Sequence, residues 1–169
     1  MSGRDRGVTL LELMVVLAIL VILASFVIPA LGEWKRKYDV EHTIKLLYTA
    51  LNEARLRAFD EKRVCGLVWS GSSFSSISLK CDTDGDGQII DDADNGTEEI
   101  WSKDLKVTLS ENLANNYCRF NYKGFAFSPS DQGTFRYTDT SVDAEYSCVR
   151  VSLTRIKMGK WDGSTCQLK

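Results

Sequence analysis

The feature that most constrains this 169-residue chain is a long apolar segment near its N-terminus. Residues 8–31 contain 20 apolar residues out of 24, and the run Leu13–Leu31 is broken only by Ser25 and Pro29. A helix over that 19-residue run would extend roughly 28 Å, which matches the hydrocarbon core of a bilayer. We therefore predict a transmembrane half-helix over 8–31, preceded by a short basic leader over 1–7.

The remaining residues, 32–169, have the composition of an ordinary globular body. The whole chain carries 21 basic and 23 acidic side chains, and a net charge of −2 does not indicate a nucleic-acid-binding protein. The body has 138 residues, which is long enough to bury a core. There is no second long apolar run, so the sequence excludes a multispan membrane protein. The apolar segment likewise argues against a fully cytosolic soluble protein.

A helical pattern continues beyond the apolar segment. Apolar residues recur there at alternating steps of four and three, which places them on one face of a helix. These residues are Val40, Ile44, Leu47, Leu51, Ala54 and Ala58. No proline interrupts this stripe. We predict one long helix from about Thr9 to about Asp60, whose second half packs on the body.

After Arg63 the periodicity changes to short runs of alternating apolar residues, separated by glycine, serine and asparagine. This pattern is typical of antiparallel strands. The predicted strands are Val64–Trp69, Phe74–Lys80, Glu98–Trp101, Leu105–Leu109, Tyr117–Asn121, Gly124–Phe127, Thr134–Tyr137, Cys148–Leu153 and Ile156–Lys160, with a hairpin turn at Ser70–Ser73. The predicted fold class is α+β, with a long N-terminal helix packed on an antiparallel β-sheet body.

Two features distinguish the N-terminal segment from a plain anchor or a secretory signal peptide, which has a shorter apolar stretch. Glu12 lies at the start of the apolar run, where a carboxylate is costly unless it is paired. The basic leader ends in Gly7, and the sequence continues VTLLELMVVL. This stretch resembles the prepilin signature of type IV pilins and type II secretion pseudopilins. Pro29 also falls where that family commonly carries a helix-kinking proline.

The resemblance implies a processing step and an assembly step. A prepilin peptidase would cut after Gly7 and methylate the new amine of Val8. The helix would then wait in the inner membrane, with the body in the periplasm or in an extracellular filament. An inner-membrane assembly platform would join the chain to other pilins or pseudopilins. Glu12 would pair with the N-terminal amine of a neighbouring subunit, because opposite charges in apolar surroundings need each other.

Two further stretches narrow the resemblance. Residues 47–58 resemble the helix end of the GspH/FimT/FimU group, and residues 148–157 resemble its last strands. Many members have a glycine-arginine-x-arginine motif in those strands, whereas this chain has Thr154 for the glycine and Lys157 for the second arginine. We therefore expect a structural minor subunit of a type IV pilus that helps to initiate or join filament assembly. A GspH-type minor pseudopilin of a type II secretion system is an alternative.

The acidic segment Asp82–Glu99 contains eight carboxylates and no basic residue. It opens with the D-x-D-x-D-G pattern of a calcium loop, and oxygen-only ligand sets suit calcium. The expected ligands are the carboxylates of Asp82, Asp84 and Asp86, the carbonyl of Gln88, and either Asp91 or Asp92 as the closing carboxylate. The usual closing position holds Ala93, so a solvated acidic loop is the alternative. A calcium-binding module unrelated to filaments is a further functional alternative.

The body contains five cysteines whose spacing fits no zinc site, which indicates an oxidising compartment. Cys65 and Cys81 lie on either side of the predicted hairpin near Ser73, so they are candidates for a cross-strand pair. The resemblance implies a bridge between Cys148 and Cys166, because pilin-like proteins often carry such a C-terminal disulfide. Cys118 is an alternative partner in either bridge, since sequence does not determine connectivity.

No arrangement of catalytic residues stands out, and the chain is predicted to be neither an enzyme nor a binder of an organic cofactor. The only histidine, His42, is interpreted as a surface residue of the helix. The stretch Arg150–Lys169 has an excess of basic residues. Some pilins of this group bind DNA through such a region, but so small a patch would bind weakly. A charged strand edge facing solvent is the favoured interpretation.

Overall fold

A single helix, α1, runs from Leu10 to Asp60. The side-chain oxygen of Thr9 accepts a hydrogen bond from the backbone N–H of Glu12 at 3.2 Å, which caps the first turn. The computed structural model describes residues 9–90 and 96–169, without the side chains of Ala24 and residues 26–30. The predicted long helix is confirmed, and its observed start lies one residue from the predicted one.

The chain divides into two compact units, Met1–Arg36 and Lys37–Lys169. In the first unit the large apolar side chains from Leu10 to Leu23 are 47–76% exposed. Within the described residues, no helix combines the length and the apolarity that crossing a membrane requires. The membrane span predicted over 8–31 therefore stays a prediction.

The second unit, called the body from here on, contains the strands. Their bounds are β1 Cys65–Val68, β2 Ser73–Asp82, β3 Thr97–Glu111, β4 Tyr117–Phe120, β5 Gly133–Arg136, β6 Cys148–Val151, β7 Ile156–Trp161 and β8 Cys166–Leu168. They form one sheet in the order β4-β1-β2-β3-β5-β6-β7-β8, and every pair of neighbours is antiparallel. A short 3-10 turn at Pro129–Asp131 lies between β4 and β5.

The core of the body lies between α1 and the sheet. All six residues of the predicted helical stripe are buried there, each no more than 1% exposed. An aromatic cluster extends the core: the Trp69 ring stacks on Phe74 at 5.3 Å and meets Phe135 edge-on at 5.0 Å. The predicted packing of the stripe on the body is therefore confirmed, and it buries apolar area against the strands. The α+β fold class with the helix packed on the antiparallel sheet is confirmed.

Three strand predictions were wrong in detail. The predicted strands Glu98–Trp101 and Leu105–Leu109 are parts of one long strand, β3. Register shifts in its pairing with β2 break the regular alternation that a single strand would show. Gly124–Phe127 is not a strand and contributes only the isolated bridge between Ala126 and Phe120. The short final strand, β8, was not predicted.

Candidate functional site

Glu12 lies in the first turn of α1, where a negative charge interacts favourably with the positive end of the helix dipole. Its side chain is exposed and makes no ion pair with any residue in the described part of the chain. Gly7 and Val8, the predicted processing residues, lie outside the described residues.

The acidic loop is the segment 82–90 that follows β2, and Asp82 organises it. The carboxylate of Asp82 is buried and accepts three backbone N–H groups: Asp84 at 3.0 Å, Gly85 at 2.8 Å and Gly87 at 2.7 Å. Gly85 and Gly87 have φ angles of +87° and +82°, in the left-handed region that favours glycine. The aspartate-glycine pattern therefore has a structural explanation in the loop's own hydrogen bonds.

The same loop gathers negative charge. The carboxylate oxygens of Asp82, Asp84 and Asp86 lie within 4.8 Å of one another. The backbone N–H of Asp86 donates to the Asp84 carboxylate and lowers its pKa, but desolvation and the nearby charges of Asp82 and Asp86 raise that pKa above its usual value. Asp91 and Asp92, the predicted closing ligands, lie outside the described residues. Calcium binding by this loop and Gln88 stays a prediction.

A buried ion pair anchors the acidic loop to β4. The Asp131 carboxylate, fully buried, accepts hydrogen bonds from the Arg119 backbone N–H at 2.8 Å and from its Nε at 3.2 Å. The Arg119 Nη1 donates to the carbonyl of Gly87 at 2.9 Å. The guanidinium also lies over the rings of Tyr117 and Phe127, 4.6 Å and 4.5 Å from their centroids. The sequence does not indicate this cluster, because the segment around Asp131 has only the pattern of a loop.

Both predicted disulfides are present in the structure. Cys65 and Cys81 are direct cross-strand partners in β1 and β2, with Cα atoms 4.1 Å apart. Cys148 of β6 is bonded to Cys166 of β8. Gly159 of β7, which pairs with Cys148, lies beside this bridge, and a Cβ there would come within 3.1 Å of the Cys166 Sγ. A Cβ there would also lie 2.3 Å from the Gln167 backbone oxygen, so the close approach of β8 requires a residue without a side chain at that position.

Cys118 is the remaining thiol, and it displaces neither bridge. It is buried, and its Sγ donates to the Asp131 carbonyl at 3.1 Å. Burial, with the nearby Asp131 charge, raises the pKa of this thiol well above its usual value, against the opposing effect of Arg119. A protonated and inaccessible thiol is a packing residue rather than a nucleophile.

The C-terminal basic stretch is partly neutralised within the body. Lys160 forms an ion pair with Asp143, and Lys169 forms one with Glu145 at 3.4 Å. Arg150 and Lys157 are exposed and lie opposite each other on β6 and β7. These contacts agree with the favoured interpretation of a charged outer strand surface, and DNA binding stays an untested alternative.

His42 differs from the surface residue that we expected. It is partly buried, its ring lies 5.9 Å from the Tyr38 ring, and its Nδ1 is buried without a hydrogen-bond partner in the described structure. The difference arises because His42 lies between the buried positions Val40 and Thr43 on the body-facing part of α1.

Comparisons with known proteins agree with this architecture. Residues 2–28 match the model of the prokaryotic N-terminal methylation motif. The fold is similar to the crystal structure of the type IV minor pilin FimU from Pseudomonas aeruginosa, with a TM-score of 0.53 and 17% identity, covering 75% of this chain and 95% of that one. Curated protein sequences give no match. The chain therefore combines a prokaryotic N-terminal methylation motif with a fold similar to that of a type IV minor pilin.

Proposed function

We propose that this chain is a structural minor subunit of a type IV pilus that helps to initiate or join filament assembly. The observation that carries the proposal is the methylation motif at the start of a helix that continues into a pilin-like body. The solved structure with the similar fold is itself described as a minor pilin.

The N-terminal unit supports an assembly role on physical grounds. A continuous series of exposed apolar side chains from Leu10 to Leu23 is far more than a soluble monomer leaves uncovered. Neighbouring helices or lipid would have to cover it. The Glu12 carboxylate, in the same apolar stretch, needs a positive partner to avoid a large desolvation cost. The methylated amine of Val8 in an adjacent subunit would supply that charge once the leader has been removed.

In the proposed filament, the role of the body is to present a surface to neighbouring subunits. Its core, two disulfides and buried ion pair hold the strands and loops in fixed positions without help from other chains. Such a rigid body suits a subunit that presents side chains to its neighbours. A minor subunit would thereby determine which subunit is added above or below it.

The experiment compares Glu12→Ala with Glu33→Ala in cells that make the filament. Both changes remove one carboxylate from α1, but Glu33 lies beyond the apolar run. We expect Glu12→Ala to remain in the membrane fraction and to disappear from sheared filaments, at least tenfold below the wild type. The Glu33→Ala control should enter filaments normally. Normal incorporation of Glu12→Ala would contradict the proposed assembly role.

The same preparation addresses the pseudopilin alternative. If the chain belongs to a type II secretion system, its mature form should cross-link to secretion pseudopilins, and its deletion should abolish protein export rather than piliation. The calcium-module alternative predicts neither outcome, and it predicts that the leader stays attached.

A further inference from the structure

Large apolar side chains remain exposed where α1 ends. They are Leu56, Phe59, Tyr122, Phe125 and Phe127, with exposures between 38% and 67%. Those of α1 border a cleft of about 410 Å³, whose other wall is formed by Lys123 and Gly124. Aromatic side chains that stay in solvent beside a cleft are typical of the centre of a protein interface.

The cleft is formed because the segment 121–127 turns back against the helix. Gly124 has a φ of +75°, and its N–H donates to the Asn121 carbonyl at 2.8 Å. A Cβ at Gly124 would lie 3.5 Å from the Arg55 Nε and 3.9 Å from the Phe59 Cβ. Helix and turn are therefore in contact at Gly124, and both carry exposed side chains beside this contact.

This surface carries uncompensated positive charge. Arg55 and Lys123 line the cleft, and the Nζ of Lys62 lies 3.8 Å from the centre of the Phe59 ring. None of these three cations makes an ion pair with a carboxylate in the described residues. Cations held on aromatic rings and left without counter-ions are available to carboxylates of another molecule.

An uncompensated negative surface lies on the acidic loop, which approaches the segment 121–127 at Phe127. Asp84 and Asp86 are exposed and make no ion pair in the described part of the chain. Phe127 links the acidic loop to the segment 121–127, because its ring would lie 3.0 Å from a Cβ at Gly87. We call the whole area, cationic half and acidic half together, the helix-end patch.

We propose that the helix-end patch is a self-complementary surface through which two copies of this chain associate about a two-fold axis. In a two-fold contact each patch packs against the same patch of the other copy. The cationic half of each copy then faces the acidic half of the other, which gives two equivalent sets of charge pairs. Arg55 and Lys123 of one copy would face Asp84 and Asp86 of the other, and the exposed rings would be covered at the centre. The inference goes beyond the proposed pilus role and does not depend on filament assembly.

The test uses the full-length chain in detergent micelles, as a mixture of ¹⁴N and ¹⁵N copies, with calcium chelated so that the acidic loop keeps its charge. Tyr122 is replaced by a photoreactive phenylalanine analogue. Mixed-isotope cross-links show contacts between copies. We expect these cross-links to join position 122 of one copy to residues 82–90 of the other.

Charge reversal then tests the complementarity. Arg55→Glu with Lys123→Glu makes the patch wholly acidic, and Asp84→Lys with Asp86→Lys makes it wholly basic. Either variant alone should lose the cross-link at least fivefold, and an equimolar mixture of the two should recover it. The control Lys45→Glu with Lys103→Glu changes the net charge equally at another surface cleft and should cross-link normally.

Three results would overturn the proposal. One is an absence of mixed-isotope cross-links from position 122 in the wild-type patch. Another is unchanged cross-linking in both charge-reversed variants. The third is cross-linking in native membranes to other proteins only. Filament incorporation, measured separately with Glu12→Ala, reports on the pilus proposal alone, so failure of one idea is distinguishable from failure of the other.

Discussion

The two units of this chain share one helix but differ in whether their apolar side chains are exposed or buried. Leu17, in the N-terminal unit, is 53% exposed, whereas Leu51, in the body, is fully buried. The body buries its apolar side chains within itself and adds two disulfides and an internal ion pair. The N-terminal unit leaves its apolar side chains uncovered. The comparison indicates that the body is stable by itself, while the N-terminal segment depends on its surroundings.

The largest expected effect is on the free energy of unfolding, and it should differ between the two units for the same leucine-to-alanine substitution. Leu51→Ala removes buried side-chain volume from the core and should lower the free energy of unfolding of the body by about 4 kcal/mol. Leu17→Ala should leave that free energy unchanged, because its side chain is not part of the body's core. Denaturant unfolding of both variants, followed by tryptophan fluorescence, measures the difference. Equal losses would show that the comparison is wrong.

The buried ion pair should have the next largest effect. Asp131→Ala leaves the Arg119 guanidinium without its carboxylate and should destabilise the body by about 3 kcal/mol. Because Arg119 also holds the Gly87 carbonyl, the acidic loop should become more sensitive to proteases. Asp104→Ala, which removes an exposed carboxylate from β3, is the matched control. If Asp131→Ala destabilises the body no more than Asp104→Ala does, the ion pair does not contribute to the stability of the body.

A smaller effect concerns the turn between β7 and β8. The Gln167 amide, followed by the N–H groups of Thr165 and Ser164, lowers the pKa of Asp162 far below its usual value of 3.8. A depressed carboxyl pKa stabilises the fold at pH values above the unfolded pKa, and that stability is lost as pH falls through the folded pKa. Asp162→Asn should therefore lower the melting temperature slightly near pH 7.

The pH profile checks the sign of this effect. The gap in melting temperature between wild type and Asp162→Asn should stay constant above about pH 5 and narrow as the pH falls below 4. A gap that widens in acid would contradict the assignment of the hydrogen bonds to the charged carboxylate.

The smallest effect concerns calcium. If Asp84 and Asp86 bind this ion with the affinity of extracellular modules, 1 mM calcium should raise the melting temperature by roughly 3 °C. Asp86→Asn should abolish the shift, whereas Asp60→Asn at the end of α1 should preserve it. An unchanged melting temperature in calcium would leave Asp82 with its structural role alone.

Much of the fold could be predicted from local patterns. The spacing of the helical stripe specified which face of α1 is buried, and alternation specified most strands. The bridge between Cys65 and Cys81 followed from the symmetry of a hairpin, because antiparallel pairing puts such residues opposite each other. In each case the information lies within a single helix, strand or hairpin.

Long-range contacts were beyond such patterns. Asp131 lies in a serine- and proline-containing turn, and nothing local shows that its carboxylate is buried against Arg119. The turn that carries Tyr122 meets α1 beside Phe59, and its φ of +75° at Gly124 favours glycine. The helix-end patch therefore depends on tertiary packing and could not be inferred from the sequence.

The central claim is that the N-terminal unit is completed by neighbouring subunits after processing. The most direct measurement is cross-linking mass spectrometry of the protein in its native membranes, reading the N-terminus and its neighbours together. We predict a methylated Val8 as the first residue, with α1 cross-linked near Glu12 to the N-terminal helix of another pilin. An intact Met1 without pilin neighbours would contradict the account.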